Sequence, residues 1–185
     1  LLGLTLPITP VQILWINMVS SVALAMALAF EPTEPQVMQR PPRDANAPIV
    51  SGFLIWRIVF VSILFSAGVF GQFLLAQFQG ADVDMARTMT VNTLVVMEIF
   101  YLFSVRYIHG TSLTLQGLLG TRAVLLAVAI VTVLQFLFTY APFMQIFFAA
   151  QALSIPQGLQ VIVFGIVILI LLEIEKVLVP RVAGS

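Results

Sequence analysis

Apolar residues along this chain are gathered in five long runs, separated by shorter and more polar connections. A helix that crosses a bilayer needs about 20 mostly apolar residues, because the hydrocarbon core is about 30 Å thick and each residue adds about 1.5 Å. Every backbone polar group in that core must be paired within the protein, so continuous runs favour helices. The sequence therefore predicts an all-α fold, a polytopic transmembrane helix bundle with five spanning helices. The predicted helices cover about residues 11–30, 53–78, 88–106, 122–140 and 157–179.

Two of the connections have a character of their own. Residues 31–50 contain five prolines and are predicted to form an extended, solvated loop. The connection at 141–156 is apolar, so we expect part of it to lie in the membrane interface. Its expected anchors are Phe143, Phe147 and Phe148.

The basic residues predict the orientation of the bundle. If the helices alternate, seven of the eight Lys and Arg residues fall on one side of the membrane and only Arg87 falls on the other. The positive-inside rule then places the Pro-rich loop and the C-terminus in the cytoplasm and the N-terminus outside. The seven residues are Arg40, Arg43, Arg57, Arg106, Arg122, Lys176 and Arg181.

Composition supports a lipid environment and excludes several functions. Of the 185 residues, 61% are hydrophobic and 9% charged, with a mean hydropathy of +1.10, whereas soluble domains carry about 25% charged residues. The net charge of zero gives nucleic-acid binding no electrostatic basis. The absence of cysteine excludes disulfides and thiolate metal sites, and the single histidine, His109, argues against a histidine metal cluster. The chain begins without Met, so we expect it to be part of a longer polypeptide.

Polar groups within the membrane are costly and therefore candidates for function. In the first helix, Asn17, Ser20 and Ser21 share an arc of about 100° at regular helical spacing. Their oxygens could be neutral ligands for a hard cation. The alternative is hydrogen bonding between helices, which Asn and Ser commonly supply in membrane bundles.

Glu98 is the one acidic residue deep within any of the five runs. An ionised carboxylate at that depth needs a cation, a water-filled cavity or a proton. Ion coordination or proton relay is the favoured interpretation, and a protonated structural Glu is the alternative.

Two further polar groups favour structural roles. Gln135, with Thr132 and Thr139 on the same helix, is predicted to join helices by hydrogen bonds. Glu173, Glu175 and Lys176, at the end of the last run, are predicted to form a solvated charge cluster. The sequence contains neither a GxxxxGK[ST] phosphate loop nor a GxSxG elbow, so no catalytic residue is predicted.

Several stretches resemble a known family. Residues 6–19, LPITPVQILWINMV, with Ala29-Phe30-Glu31-Pro32 and Met38-Gln39-Arg40-Pro41-Pro42-Arg43, resemble the sixth transmembrane helix and following loop of type II P-type cation ATPases. Residues 86–90, ARTMT, and 171–176, LLEIEK, resemble the eighth and tenth helices of that family. The family includes calcium pumps and sodium/potassium pumps, and the resemblance covers essentially the whole chain.

The resemblance implies that residues 1–185 are the C-terminal transmembrane domain of a pump, its sixth to tenth helices. Such pumps couple ATP hydrolysis, through an aspartyl-phosphate, to alternating access of cation sites. The implied partners are the lipid bilayer, the transported cation and the first five helices with the cytoplasmic domains. Mg²⁺ and ATP would act in the full-length pump, whereas this chain would need no cofactor and have no ATPase activity alone. The implied location is the plasma membrane.

The resemblance carries over the candidate cation site only in part. Asn17 and Ser20 match the Asn and Thr of the family pattern Asn-x-x-Thr-Asp-Gly, and Glu98 matches its eighth-helix acidic position. Ser21 stands where calcium pumps have Asp, so high-affinity divalent binding is less expected. Val22 replaces the Gly and no Pro follows, so the first helix is expected to run straighter.

Two functions of other classes remain open on the sequence. One is a stand-alone small membrane channel or transporter, although no repeat relates the helices. The other is a non-transporting accessory membrane subunit, in which the four candidate site residues would be purely structural.

Overall fold

Five helical spans make up the part of the chain that the computed structural model describes, residues 5–30, 52–106 and 122–178. These residues contain no strand, and five stretches are long and apolar enough to cross a membrane, which confirms the all-α prediction. A π-helical turn, Asn17–Ser21, joins the first two helices into one span. The helices are α1 (Pro10–Ile16), α2 (Val22–Ala29), α3 (Gly52–Phe78), α4 (Val83–Arg106), α5 (Arg122–Tyr140), α6 (Pro142–Phe148) and α7 (Ile155–Leu178).

Side-chain caps set the starts of two spans. Thr9 caps α1 in a capping box: its Oγ1 accepts from the Gln12 backbone N–H at 3.3 Å, while Gln12 Oε1 accepts from the Thr9 N–H at 3.0 Å. The third predicted helix, 88–106, starts earlier in the structure, at Val83. The cause is Asp82, whose Oδ1 accepts the Met85 N–H at 2.7 Å and so satisfies a backbone donor of the first turn.

Some predicted features lie outside the described residues. They include the Pro-rich loop 31–50 and the connection that holds His109. Of the basic residues behind the orientation, Arg40, Arg43 and Arg181 also lie there.

Helix α4 is the centre of the bundle. Within the chain, 56% of its span is buried, against 22% for the spans of α3 and of α7, which both pack against it. Two glycines allow the close approach. A Cβ on Gly165 of α7 would lie 2.5 Å from Val96 Cγ1, and a Cβ on Gly68 of α3 would lie 2.7 Å from Met97 Cε. Small residues at such positions let membrane helices pack tightly.

The short helix α6 closes the end of the bundle that carries Tyr140, which we call the Tyr140 end. The three phenylalanines that were expected to be interface anchors differ in their surroundings. Phe143 and Phe147 are exposed, whereas the Phe148 ring packs at a tilt against those of Trp15 and Phe138, with centroids 5.3 Å apart in both pairs. Phe148 therefore holds α6 to the bundle.

The opposite end, which we call the Lys176 end, contradicts one prediction. Glu173, Glu175 and Lys176 were expected to be solvated, but Glu175 is 6% exposed, and the side chains of Lys176 and Glu173 are 7% and 14% exposed. Lys176 Nζ donates to Glu173 Oε1 at 2.6 Å and to the Ser104 carbonyl at 2.7 Å. The pair is buried because its two charges lie one helical turn apart and neutralise each other against the end of α4.

Candidate functional site

The first span widens at the candidate cation site. Across the turn Asn17–Ser21, the Val22 N–H donates to the Asn17 carbonyl, an i to i+5 bond in place of the i to i+4 bond of an α-helix. The span is therefore not a regular α-helix here, although it lacks the Gly and Pro of the family pattern. Backbone hydrogen bonds can shift by one residue without either residue type, and such π turns occur frequently at functional sites.

Ser20 and Glu98 meet at this turn. Ser20, on the first span, is fully buried, and its Oγ hydrogen-bonds to Oε2 of Glu98 on α4. The half-buried Glu98 thus has a hydroxyl oxygen against its carboxyl group. Two oxygen-bearing side chains that are 78 positions apart in sequence come together inside the membrane-spanning region.

The Ser20 hydroxyl has two acceptors within reach but only one proton. Besides Glu98, the carbonyl oxygen of Ile16 lies 2.9 Å from Ser20 Oγ. If the hydroxyl donates to Glu98, Oε2 accepts, which both an ionised carboxylate and the carbonyl oxygen of the protonated acid can do. If the hydroxyl donates to Ile16, the contact requires a proton on Glu98, which then donates to Ser20. The pair can therefore hold a proton or offer oxygen lone pairs to a cation.

Asn17 does not join this pair. Its side chain is exposed in the chain, whereas Ser20 is fully buried. The predicted common arc for Asn17, Ser20 and Ser21 assumed 100° per residue, and the π turn changes that spacing because it holds more residues per turn. The side chain of Ser21 lies outside the described part of the structure.

A second set of buried polar groups connects the first span, α4 and α5. Trp15 Nε1 donates to Gln135 Oε1 at 3.3 Å, and Thr139 Oγ1 lies 3.1 Å from Asn92 Oδ1. The predicted role of Gln135 and Thr139 in joining helices is confirmed. Sequence reasoning missed Gln12, which is fully buried and donates to the Phe148 carbonyl at 3.0 Å. Two signals in the sequence could have indicated Gln12: it has the capping-box spacing from Thr9, and it lies one helical turn before Trp15.

Asp82 forms a separate polar contact outside the spans, at the Tyr140 end. Both of its carboxylate oxygens accept from Gln151 Nε2, at 3.1 and 3.0 Å. The Met85 backbone N–H and the Gln151 amide hold the pKa of Asp82 below its ordinary value of 3.8, because both hydrogen bonds favour the ionised form. This contact ties the start of α4 to the segment between α6 and α7.

Glu98 is not part of an acidic cluster within the described residues. In ranges 5–30, 52–106 and 122–178, no three His, Cys, Asp or Glu side chains lie together as a group that could hold a metal ion. The described site thus offers one carboxylate and the neutral oxygen of Ser20. Hard cations prefer such oxygen ligands, and their affinity rises with the number of charged ones.

Comparison with known proteins gives consistent matches. The family model described as "Cation transporting ATPase, C-terminus" matches residues 5–178. Over 184 residues, the chain is 38% identical to "Probable cation-transporting ATPase F" of Mycobacterium tuberculosis, covering 99% of this chain and 20% of that relative. It is 35% identical over 156 residues to "Cation-transporting ATPase pma1" of Synechocystis, covering 80% and 17%. "Calcium-transporting ATPase 1" of Yarrowia lipolytica is 27% identical over 176 residues, covering 95% and 19%.

The chain thus spans about a fifth of the length of these curated relatives. The matched region contains all five spans found in the structure. The chain is therefore an integral membrane protein that belongs to the cation transporting ATPase C-terminus family, the C-terminal membrane region of P-type cation pumps.

Proposed function

We propose that this chain is the transport half-domain of an ATP-driven cation pump, in which Ser20 and Glu98 contribute ligands to the site of the transported cation. The observation that carries the proposal is the contact between the Ser20 hydroxyl and the Glu98 carboxyl group at a π turn inside the membrane-spanning region. A carboxyl group at that depth is costly unless it binds a cation or a proton.

The exposed face of the first span accommodates the rest of the site. Asn17 lies on that face, beside Met18, which is 65% exposed. In the complete pump, upstream helices pack against this face and bring further ligands to Asn17 and Ser21. The much greater length of the relatives supports this arrangement, since four-fifths of each relative lies outside the matched region.

The remaining parts of the proposal concern the complete pump. Mg²⁺ and ATP act in the cytoplasmic domains of the complete pump. The pump lies in the plasma membrane, with the N-terminus of this chain outside and the Lys176 end in the cytoplasm. The distribution of Lys and Arg supports that orientation.

The test is cation-dependent phosphorylation of the complete pump. Replacing Glu98 by Gln removes the charged ligand and keeps the side-chain size, so we expect the cation concentration for half-maximal phosphorylation to rise about tenfold or more. Asn17→Ala is expected to raise it less, because a neutral ligand is lost. Asp84→Asn is the matched control, because Asp84 is a carboxylate on the same helix whose side chain is 48% exposed.

Unchanged cation affinity in both Glu98→Gln and Asn17→Ala would remove these residues from the site. An equal loss of cation affinity in Asp84→Asn would show that the effect is common to the carboxylates of α4 and not specific to Glu98. Cation flux through liposomes that hold the 185-residue chain alone would instead support the channel alternative.

A further inference from the structure

We propose that a groove between α4, α5 and α7 binds one phospholipid of the leaflet at the Tyr140 end, and that its ester carbonyl accepts a hydrogen bond from Gln135. The groove has a volume of about 260 Å³. Its walls are mostly apolar, and Gln135 is one of the few polar side chains among them. The apolar residues that shape it include Val95, Val96, Phe136, Val161 and Ile162.

The orientation of the Gln135 amide follows from its neighbour. The Trp15 indole N–H can only donate, and it lies 3.3 Å from Gln135 Oε1. The oxygen of the amide must therefore face Trp15, and the NH₂ group points away from it. That nitrogen, Nε2, is buried and has no hydrogen-bond partner. Gln135 lines the groove, and the residue as a whole is 7% exposed.

Each of the other polar side chains of the groove has at least one hydrogen-bond partner. The Thr132 hydroxyl donates to the Val128 carbonyl at 2.7 Å, and Asn92 Nδ2 donates to the Thr88 carbonyl at 2.9 Å. The Thr139 hydroxyl lies 2.9 Å from the Gln135 carbonyl, which it can reach in place of Asn92. Among the described residues that line the groove, Gln135 Nε2 is thus the buried side-chain nitrogen that has no hydrogen-bond partner.

Hydrocarbon surrounds the spans, so the occupant has to be lipid-soluble and to carry an acceptor oxygen. Phospholipid esters lie where the hydrocarbon core meets the headgroups. Gln135 is five residues from the last residue of α5, which is about 7.5 Å of helix and places it in the adjoining part of the core. Gly158 of α7 also lines the groove, and a Cβ there would meet nothing within 4 Å, so the lipid has room beside it.

The experiment counts phospholipids that stay bound to the complete protein. The protein is purified in detergent with added dioleoylphosphatidylcholine and analysed by native mass spectrometry. Gly158→Leu fills the groove and is expected to retain one phospholipid fewer than the unchanged protein. Gly52→Leu is the control for added bulk, since Gly52 also faces open space but lies in α3, away from the groove.

Two further arms test the hydrogen bond. Gln135→Leu keeps the side-chain size and removes the donor, so we expect about three- to tenfold weaker retention, the effect of one hydrogen bond. The diether analogue of the same lipid lacks the ester carbonyl and is expected to bind the unchanged protein more weakly by a similar factor.

Equal lipid counts in the unchanged protein and in Gly158→Leu would overturn the lipid site and leave water as the partner of Gln135. A lost lipid in Gly52→Leu would overturn it too. Equal retention of the ester and ether lipids would refute the role of Gln135. The readout is a bound mass, so it is independent of whether Glu98 binds the transported cation.

Discussion

Three glycines in the spans lead to opposite expectations for the same change, Gly to Ala. A Cβ on Gly165 would lie 2.5 Å from Val96 Cγ1 and 2.7 Å from Cδ2 of Phe100. A Cβ on Gly68 would meet the Met97 side chain at 2.7 and 2.9 Å, and one on Gly71 would have its nearest neighbour 3.9 Å away. All three lie within long helices, so the change in helix propensity is similar and the contacts decide the outcome.

The magnitudes follow from two terms. Alanine stabilises a helix interior by about 0.5–1 kcal/mol relative to glycine. Overpacking costs about 1–3 kcal/mol where the neighbours cannot move, so Gly165→Ala should be destabilising by about 0.5–2 kcal/mol. At Gly68 the neighbour is the flexible end of a methionine, which can adapt, so the net effect should be near zero. Gly71→Ala keeps ordinary contacts and should stabilise by about 0.5–1 kcal/mol.

The assay is the thermal unfolding midpoint of the complete protein in one detergent, compared among the three variants. The expected order of midpoints is Gly71→Ala highest, Gly68→Ala close to the unchanged protein, and Gly165→Ala lowest. A Gly165→Ala midpoint at or above that of Gly71→Ala would refute the close crossing of α4 and α7.

Two other predictions concern polar contacts. Because the pKa of Asp82 is depressed, its contact with Gln151 should stabilise the protein above the ordinary value of 3.8 and be lost as pH falls through the lower folded-state pKa. Hydrogen exchange at the side-chain amide of Gln151, corrected for intrinsic rates, should therefore speed up in acid, and Asp82→Asn should abolish that pH dependence. The same pH profile in Asp82→Asn as in the unchanged protein would contradict the contact. Trp15→Phe should destabilise the protein by about 1 kcal/mol, because Gln135 Oε1 loses its donor. Adding Gln135→Leu should cost less than the sum of the single changes in thermal unfolding, whereas strict additivity would argue against the contact.

The sequence was sufficient for the five spans, because hydrocarbon imposes a length and a composition that are visible in the apolar runs. It also made Glu98 a candidate site residue, since a carboxylate stands out in an apolar run, and that role stays a prediction. The π turn was not predictable from these patterns, because a shift in backbone hydrogen bonds leaves hydropathy unchanged. For the same reason, the exposed position of Asn17, away from Ser20, was not predicted. The buried pair Glu173 and Lys176 was missed because a one-turn spacing of opposite charges suits exposed and buried helix ends alike.

The π turn also affects how this span is aligned with the corresponding spans of its relatives. A π turn holds one residue more than an α turn, so along the sequence it behaves as an insertion, even where two chains align without a gap. Residues after Ser21 are rotated by about 100° from the positions that an unbroken α-helix would give them. Counting positions onward from Asn17 would therefore pair residues that differ in location in space, if the other span is α-helical throughout. Deleting a single residue here would turn all of α2 relative to α1 and present a different side of it to α5.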